Sequence, residues 1–426
     1  MHVSYRTTCR ACGSAALTRA IDLGEQTIQG AFSRPGAPPP PQRKIPLSLV
    51  RCDPTRDENA CGLLQTTHTV PPEILYSVYW YRSGTNQTMR DHLSGIAAEG
   101  AELAATKDAR VLDIGCNDGT LLGAYPKTFD RFGIDPSNAI EGLAADVKGI
   151  KDSFPSEELV HAMGSRKFDV ITSIAMFYDL ERPVSFVESI RDLLAPNGVW
   201  IFEMSYMPSM LTTRSYDTIC HEHLEYYSLA VLEYILARAG MKIFRATLND
   251  SNGGSIRCYA THKSNFAVRS GRFRETLEAL RREEFDLSLD TDKPYREFQA
   301  AAEGHRDELT RLIKELKRSG KRIHIYGAST KGNTILQFCG LDSSVIDFAA
   351  DRNPDKHGAR TVSTDIPIIS EEESRAMKPD YYLVLPWHFR TEFLEREKAT
   401  IAAGTGMIFP LPQVEIIGGP APTTRA

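Results

Sequence analysis

Four cysteines are the first residues in the chain able to do chemistry. Cys9 and Cys12 form a C-x-x-C, the spacing at which one short turn aims two thiolates at a single ion. Cys52 and Cys61 supply a second pair, with eight residues between them. Four thiolates close a tetrahedral shell, so the set suits a structural Zn²⁺ with no open position for catalysis. Four ordinary buried cysteines are the alternative, but some 60 residues rich in Pro and Gly have few other means of staying folded. Further along, His221-Glu222-His223-Leu224-Glu225-Tyr226-Tyr227 puts two imidazoles and two carboxylates within five residues, a density suited to moving protons. The spacing is wrong for H-E-x-x-H, whose histidines sit one helical turn apart. A metal site built from His221, His223 and Glu225, or a purely structural role, competes with the acid–base reading. Residue types alone do not choose between His221 and His223.

A third group is Asp113-Ile114-Gly115-Cys116-Asn117-Asp118-Gly119, which follows an apolar strand and opens a helix. Its glycines permit a tight turn and close backbone approach to a ligand at the helix N-terminus. Neither the full G-x-G-x-x-G nor a P-loop is present. Asp135, at the end of the next strand, can accept both hydroxyls of a ribose. Asp152 and Phe154, where a third strand ends, suit the edge and face of an adenine. Adenosine without a pyrophosphate fits this order, and S-adenosylmethionine is the common molecule of that kind.

These groups need elements to position them. RVLDIG, RFGIDPS, KFDVITSIAMF and NGVWIFEMS read as strands separated by helical stretches, which implies βαβ units and a mainly parallel sheet. Residues 71–106 read as helical, and 266–318 as charged helices broken near Asp290–Pro294. A second α/β unit begins at KRIHIYGASTKGNTILQF and runs to about residue 412. Within it, Tyr326–Asn333 again joins a strand to a helix, and Ser329 and Lys331 suit a phosphate. Asn252-Gly253-Gly254-Ser255 is a tight turn that either approaches the same ligand or simply closes a hairpin.

The composition is that of an ordinary globular protein, with a formal net charge of −5 over 426 residues. That balance argues against nucleic acid as the main partner. No apolar run approaches the roughly 18 residues that span a bilayer. The N-terminus has no signal-peptide core, so the expected location is cytoplasmic and the expected state a monomer or weak oligomer.

VLDIGCNDGTLL, the cysteine-bearing lobe before it and CHEHLEYYS after it resemble the sugar C-methyltransferase family, which acts on nucleotide-linked 4-keto-deoxysugars. The resemblance covers essentially the whole chain. It implies an α/β protein: a zinc-binding lobe (1–70), a class I methyltransferase Rossmann-like domain with flanking helices (71–318), a C-terminal Rossmann-like domain that binds the nucleotide-sugar (319–412), and a disordered tail (413–426). S-adenosylmethionine and a structural Zn²⁺ are the implied cofactors. The cofactor set is Asp113, Gly115, Cys116, Asn117, Gly119, Asp135, Asp152, Phe154 and Ala175. His223 becomes the base for C3 of the sugar, with Glu222, His221 and Tyr178 in the same site. The sugar wall is Tyr79, Tyr81, Ser83 and Asn86, joined by Asn252 and Ser255. Ser329, Lys331, Asn333 and His388 are expected around the nucleotide. Family members place Tyr immediately before His-Glu-His, where this chain has Cys220. Some carry a His after the fourth strand, where this chain reads Ala175-Met176-Phe177-Tyr178-Asp179. Tyr178, Tyr79 or Tyr81 can supply a phenol instead. An O- or N-methyltransferase, or a non-catalytic nucleotide-sugar binder, is the alternative.

Overall fold

The computed structural model describes residues 3–38, 40–76, 80–104, 106–265 and 273–420. Tyr79 and residues 421–426 therefore lie outside the described residues. In the N-terminal lobe, strands β1 (Leu17–Gln26), β2 (Ile45–Cys52) and β3 (Leu64–Thr66) form an antiparallel sheet. Its fourth strand comes from far along the chain. Glu225–Tyr226 pairs with β3, Glu225 opposite Gln65 and Tyr226 opposite Leu64. The acid–base segment is thus built into the lobe's sheet.

The second sheet contains β4 (Arg110–Ile114), β5 (Asp130–Ile134), β6 (Lys148–Ile150), β7 (Phe168–Ile174), β8 (Leu194–Ser205), β9 (Met241–Asn249) and β10 (Ser255–His262). Their order is β9-β10-β8-β7-β4-β5-β6, parallel except for β10, which runs antiparallel to both neighbours. β4, β7 and β8 are buried over most of their length, as a sheet covered on both faces requires. One face packs on Phe177, Phe186, Trp200, Phe202 and Tyr227, with Trp200 stacked on Phe202 at 4.0 Å and Phe177 on Tyr227 at 5.2 Å. Chain order reverses beside β4, and ligands bind α/β sheets at such a switch point.

The C-terminal sheet has the order β13-β12-β11-β14-β15-β16, formed by β11 (Ile323–Tyr326), β12 (Phe348–Asp351), β13 (Ile368–Ser370), β14 (Tyr381–Val384), β15 (Gly406–Phe409) and β16 (Glu415–Ile417). β16 corrects the expected disordered tail for its described part. Glu415–Ile417 pairs antiparallel with β15 because the edge of that parallel sheet still offers unpaired backbone groups.

Residues 71–106 are not one helix. A short helix at Pro72–Tyr76 and a 3₁₀ turn at Ser83–Thr85 precede α1 (Gln87–Leu103). The break is physical. Asn86 Oδ1 caps α1 by accepting the Thr88 N–H at 2.9 Å, while the Ser83 and Gly84 N–H groups donate to Asn117 Oδ1 (3.0 Å) and Asp118 Oδ2 (2.8 Å) instead of to a helix. The glycine loop opens α2 (Thr120–Ala124). α3 (Lys293–Arg318) buries Tyr295, Phe298, Ala302, Leu309 and Ile313 on one stripe and ties the outer parts together. Gln299 Nε2 donates to the Asp22 carbonyl at 2.9 Å in the lobe, and His305 Nε2 meets the Pro410 carbonyl at 2.5 Å in the C-terminal unit. α4 (Thr330–Cys339) follows β11 and packs against the chain just before His221.

Candidate active site

The thiols of Cys9, Cys12, Cys52 and Cys61 all lie within 4.8 Å of one another, with Cys9–Cys61 at 3.6 Å and Cys12–Cys52 at 3.4 Å. A Zn–S distance of about 2.3 Å in a tetrahedron demands sulfur–sulfur edges near 3.8 Å, so the cluster fits Zn²⁺. The irregular second pair has a local cause. Residues 53–60 fold around Asp53, whose carboxylate accepts Thr55 N–H (3.0 Å), Thr55 Oγ1 (2.8 Å) and Thr18 Oγ1 (2.7 Å), and this returns Cys61 to the end of β2.

A cavity of about 600 Å³ opens between the strand ends of the second and third sheets, within the size range of small-molecule sites. On the methyltransferase side it is lined by Asp113, Gly115, Cys116, Asn117, Asp135, Asp152, Phe154 and Ala175. Gly119, from the same expected set, does not line it. Gly119 has φ 75° and starts α2, and a Cβ there would run into Leu143, so its reason is packing. Gly115 (φ 70°), Asn117 (φ 52°) and Ala175 (φ 54°) hold two loops in left-handed conformations over the cavity. Burial, helped by the Asp135 charge and opposed by the Thr172 hydroxyl at 2.6 Å, pushes Asp113 up to about 7. A cationic ligand beside it would favour its ionised form. Asp135 already accepts Asn117 N–H (2.9 Å), Ser137 N–H (2.8 Å) and Ser137 Oγ (2.6 Å). A carboxylate has about four acceptor sites, so one remains for a ribose hydroxyl, against the two expected. These residues fit S-adenosylmethionine: acceptors for ribose and ammonium, and the Phe154 ring for a base.

The structure separates the two histidines of the acid–base segment, because the chain bends at His221–Glu222 instead of continuing extended. His221 is fully buried against the lobe. Its Nε2 donates to the Gln26 carbonyl at 3.1 Å, and its Nδ1 therefore accepts from His68 Nε2 at 2.8 Å. Both nitrogens are committed, which corrects the catalytic expectation for His221. Glu222 Oε1 accepts the Gly30 N–H at 2.8 Å, which also fixes this carboxylate on the lobe. His223 differs. Its Nδ1 donates to the Thr218 carbonyl at 2.7 Å, which leaves Nε2 as the acceptor of a neutral ring. Burial, reinforced by the charge of Lys331, holds it down at about 3. The ring lies 4.0 Å from that of Tyr178, which lines the cavity.

Tyr81, Ser83 and Asn86 line the cavity, but they sit over the cofactor loop: the Tyr81 carbonyl accepts Asn117 Nδ2 at 3.1 Å. Asn252 lines the cavity from the β9–β10 turn of the methyltransferase half, and Ser329, Lys331 and His388 line the opposite wall. Ser329 Oγ caps α4 by accepting Gly332 N–H at 3.0 Å. Two expected ligands are elsewhere. Ser255 is buried, donating to the Ser251 carbonyl at 2.8 Å to close the hairpin turn. Asn333 is buried one turn into α4, where its Nδ2 donates to the Gln29 carbonyl at 2.6 Å. Sequence reasoning missed His92 and Glu203, both on the cavity wall. His92 Nε2 meets Glu203 Oε1 at 2.5 Å, and Glu203 Oε2 accepts Arg257 Nε (2.7 Å) and Asn249 Nδ2 (2.9 Å). No local motif marks them, since α1, β8 and the β9–β10 hairpin meet only in the folded chain. Arg352, Lys356 and Asp351 line the C-terminal end and were also not anticipated.

The strand order, the glycine loop and the acidic strand ends define a class I Rossmann-like methyltransferase. Three family models match in tandem: "Putative zinc binding domain" over residues 9–76, "Methyltransferase domain" over 86–245 and "C-methyltransferase C-terminal domain" over 250–412. The chain is a methyltransferase of the S-adenosylmethionine-dependent class I fold, and its C-terminal part is similar to that of C-methyltransferases. It is similar to C-methyltransferase NovU of Streptomyces niveus, 27% identical over 416 residues that cover 96% of each chain. A ubiquinone biosynthesis O-methyltransferase of Histophilus somni is 35% identical over 105 residues, 22% of this chain and 44% of that one. A solved S-adenosylmethionine-dependent methyltransferase from Clostridium acetobutylicum aligns over 41% of this chain and 92% of its own, at 15% identity and a TM-score of 0.33. Among the described residues no helix is long and apolar enough to cross a membrane.

Two outcomes follow for the bound groups. Purified protein will carry one zinc per chain by elemental analysis. Cys52→Ser will lose it and lower the melting temperature, because metal binding contributes directly to folding of such lobes. Asp135→Ala will weaken S-adenosylmethionine binding by about 10- to 100-fold in calorimetry, the worth of about 1.5–3 kcal/mol for a lost charged hydrogen-bond acceptor.

Proposed function

We propose that the protein methylates C3 of a nucleotide-linked 4-keto-deoxysugar, with His223 as the base that removes the C3 proton. An unactivated C–H does not attack a sulfonium methyl, so carbon methylation needs an enolate, and the 4-ketone makes the C3 proton acidic. The observation that carries the reading is the state of His223. Its Nδ1–H is committed to Thr218, its Nε2 is an acceptor, and its ring is packed on a cavity-lining tyrosine. A second support is the shape of the cavity, which joins two sheet switch points. One end carries the residues suited to adenosine. The other carries Asp351, Arg352 and Lys356, a carboxylate and two cations suited to a ribose and a diphosphate. Two ligands, cofactor and nucleotide-sugar, could thus enter from the two ends and meet between them.

In this mechanism Asp113, Asn117 and Asp135 hold the cofactor, which supplies an electrophilic methyl carbon. Glu222 and His221 act from a distance: anchored to Gly30, Gln26 and His68, they fix the bend that sets His223. The nucleotide end, held by the C-terminal wall, orients the sugar toward the base, and orientation alone can supply a large part of the rate.

Incubation with S-adenosylmethionine and a panel of nucleotide-linked 4-ketosugars in D₂O will yield a product heavier by one carbon-bound methyl, with deuterium entering next to the ketone. No change across the panel would overturn the reading. His223→Ala will lower C3 exchange and methylation at least about 100-fold, the lower bound for loss of a positioned base. Because burial keeps His223 near 3, its neutral form persists as pH falls. Exchange will therefore stay level from pH 7.5 to 5.5, where a base titrating near 6.5 would lose about tenfold.

A further inference from the structure

Removal of the C3 proton leaves negative charge on the C4 oxygen, and nothing in the acid–base segment can meet it: His221 and Glu222 are committed to the lobe, and His223 takes the proton. α4 supplies what is missing. Its N-terminal half packs on the acid–base segment, with Thr334 Oγ1 donating to the Ile219 carbonyl at 3.0 Å and Thr330 Oγ1 close to Gly30, where Glu222 is anchored. From its first turn Lys331 reaches across the cavity, and its Nζ donates to the Asn252 carbonyl at 2.6 Å in the methyltransferase half. Other cations serve the nucleotide end. Lys356 is held there by Asp351 Oδ2 (3.1 Å) and the Ala328 carbonyl (2.6 Å), beside Arg352.

We infer that Lys331 is not a phosphate ligand but a catalytic cation that stabilises the enolate oxygen, acting with the N-terminus of α4. The inference rests on the C3-methylation reading above. The C3–H bond breaks and its proton goes to His223 Nε2. The electron pair moves into the C4 carbonyl, whose oxygen becomes an anion facing the Lys331 ammonium. The pair then returns through C3 to form the new C–C bond as the methyl–sulfur bond breaks and its electrons stay on sulfur. The proton on His223 finally leaves to solvent. The helix N-terminus adds its own positive potential at the same point. Burial lowers the Lys331 ammonium's pKa and the Asp217 charge opposes that shift, while the Lys331 charge acts in turn on both His223 and His388. His388 Nδ1 is buried on this wall without a protein partner, as a group awaiting a ligand would be.

The test separates the two ends of the substrate. Lys331→Met and Lys331→Arg are compared with the unaltered protein by calorimetric binding of the free nucleoside diphosphate and by NMR of C3 deuterium exchange in the bound ketosugar. Lys331→Met should lower exchange at least about 100-fold, the scale of a lost oxyanion donor. Nucleoside diphosphate affinity should stay within about threefold, which also shows that the C-terminal fold is intact. Lys331→Arg should recover part of the exchange. Unchanged exchange at saturation, or a tenfold loss of nucleotide affinity with exchange preserved, would overturn the inference and return Lys331 to the phosphate. No exchange in the unaltered protein with any ketosugar would instead overturn the C3-methylation reading, and this inference with it.

Discussion

The hydrogen bond from His223 Nδ1 to the Thr218 carbonyl decides what the imidazole can do. A carbonyl only accepts, so the bond fixes the tautomer and turns Nε2 into the basic atom. The bond exists only while residues 218–223 keep their bent path, and all three parts of the protein enforce it. Gln29 Oε1 accepts the His221 N–H at 3.1 Å and the Gly30 N–H holds Glu222, both from the lobe. Thr334 holds Ile219 from the C-terminal unit. Tyr227, a few residues on, is locked in the aromatic core of the second sheet, stacked on Phe177. The bend is a joint product of the local His223–Thr218 bond and of contacts from distant parts of the chain.

This gives the zinc lobe a purpose despite its lack of an open coordination site. A loop carrying two imidazoles and two carboxylates gains little by burial unless each polar atom finds a partner. The lobe provides partners for His221 and Glu222, the Gln26 carbonyl, the His68 ring and the Gly30 N–H, beside a sheet whose outer strand is Glu225–Tyr226 itself. The four-thiol cluster joins the turn before β1 to the end of β2, where Leu17 pairs with Cys52, at the opposite end of the ladder from Gln26.

Much of this was legible in the sequence. Strand–turn–helix signals are local, so the glycine loop, the acidic strand ends and both α/β units were found where apolar runs and glycines put them. The cysteine set was legible because thiolate chemistry restricts what four such residues do. The failures share a cause. His221 and His223 look equivalent in the sequence and are told apart only by a bend that long-range hydrogen bonds impose. Gly119 resembles a ligand-approach glycine but answers to Leu143. Asn333 sits in a phosphate-like run, yet its position on α4 turns it toward Gln29. His92 and Glu203 carry no motif because their partners come from three separate segments.

The proposed enolisation needs two basic groups in opposite states, a neutral imidazole and a charged ammonium. Burial alone pushes both toward neutrality, which suits His223 and would disable Lys331. Asp217 works against the loss of the lysine's charge. It is almost fully buried, with its Oδ2 accepting Trp387 Nε1 at 2.9 Å, and its charge favours the protonated lysine. The lysine so charged then disfavours a second proton on His223. Because Asp217 lies in the methyltransferase half while Lys331 and Trp387 lie in the C-terminal unit, the two states are set only where the units meet. For the proposed reaction, a base whose state is set at that junction is matched to a substrate held by both halves.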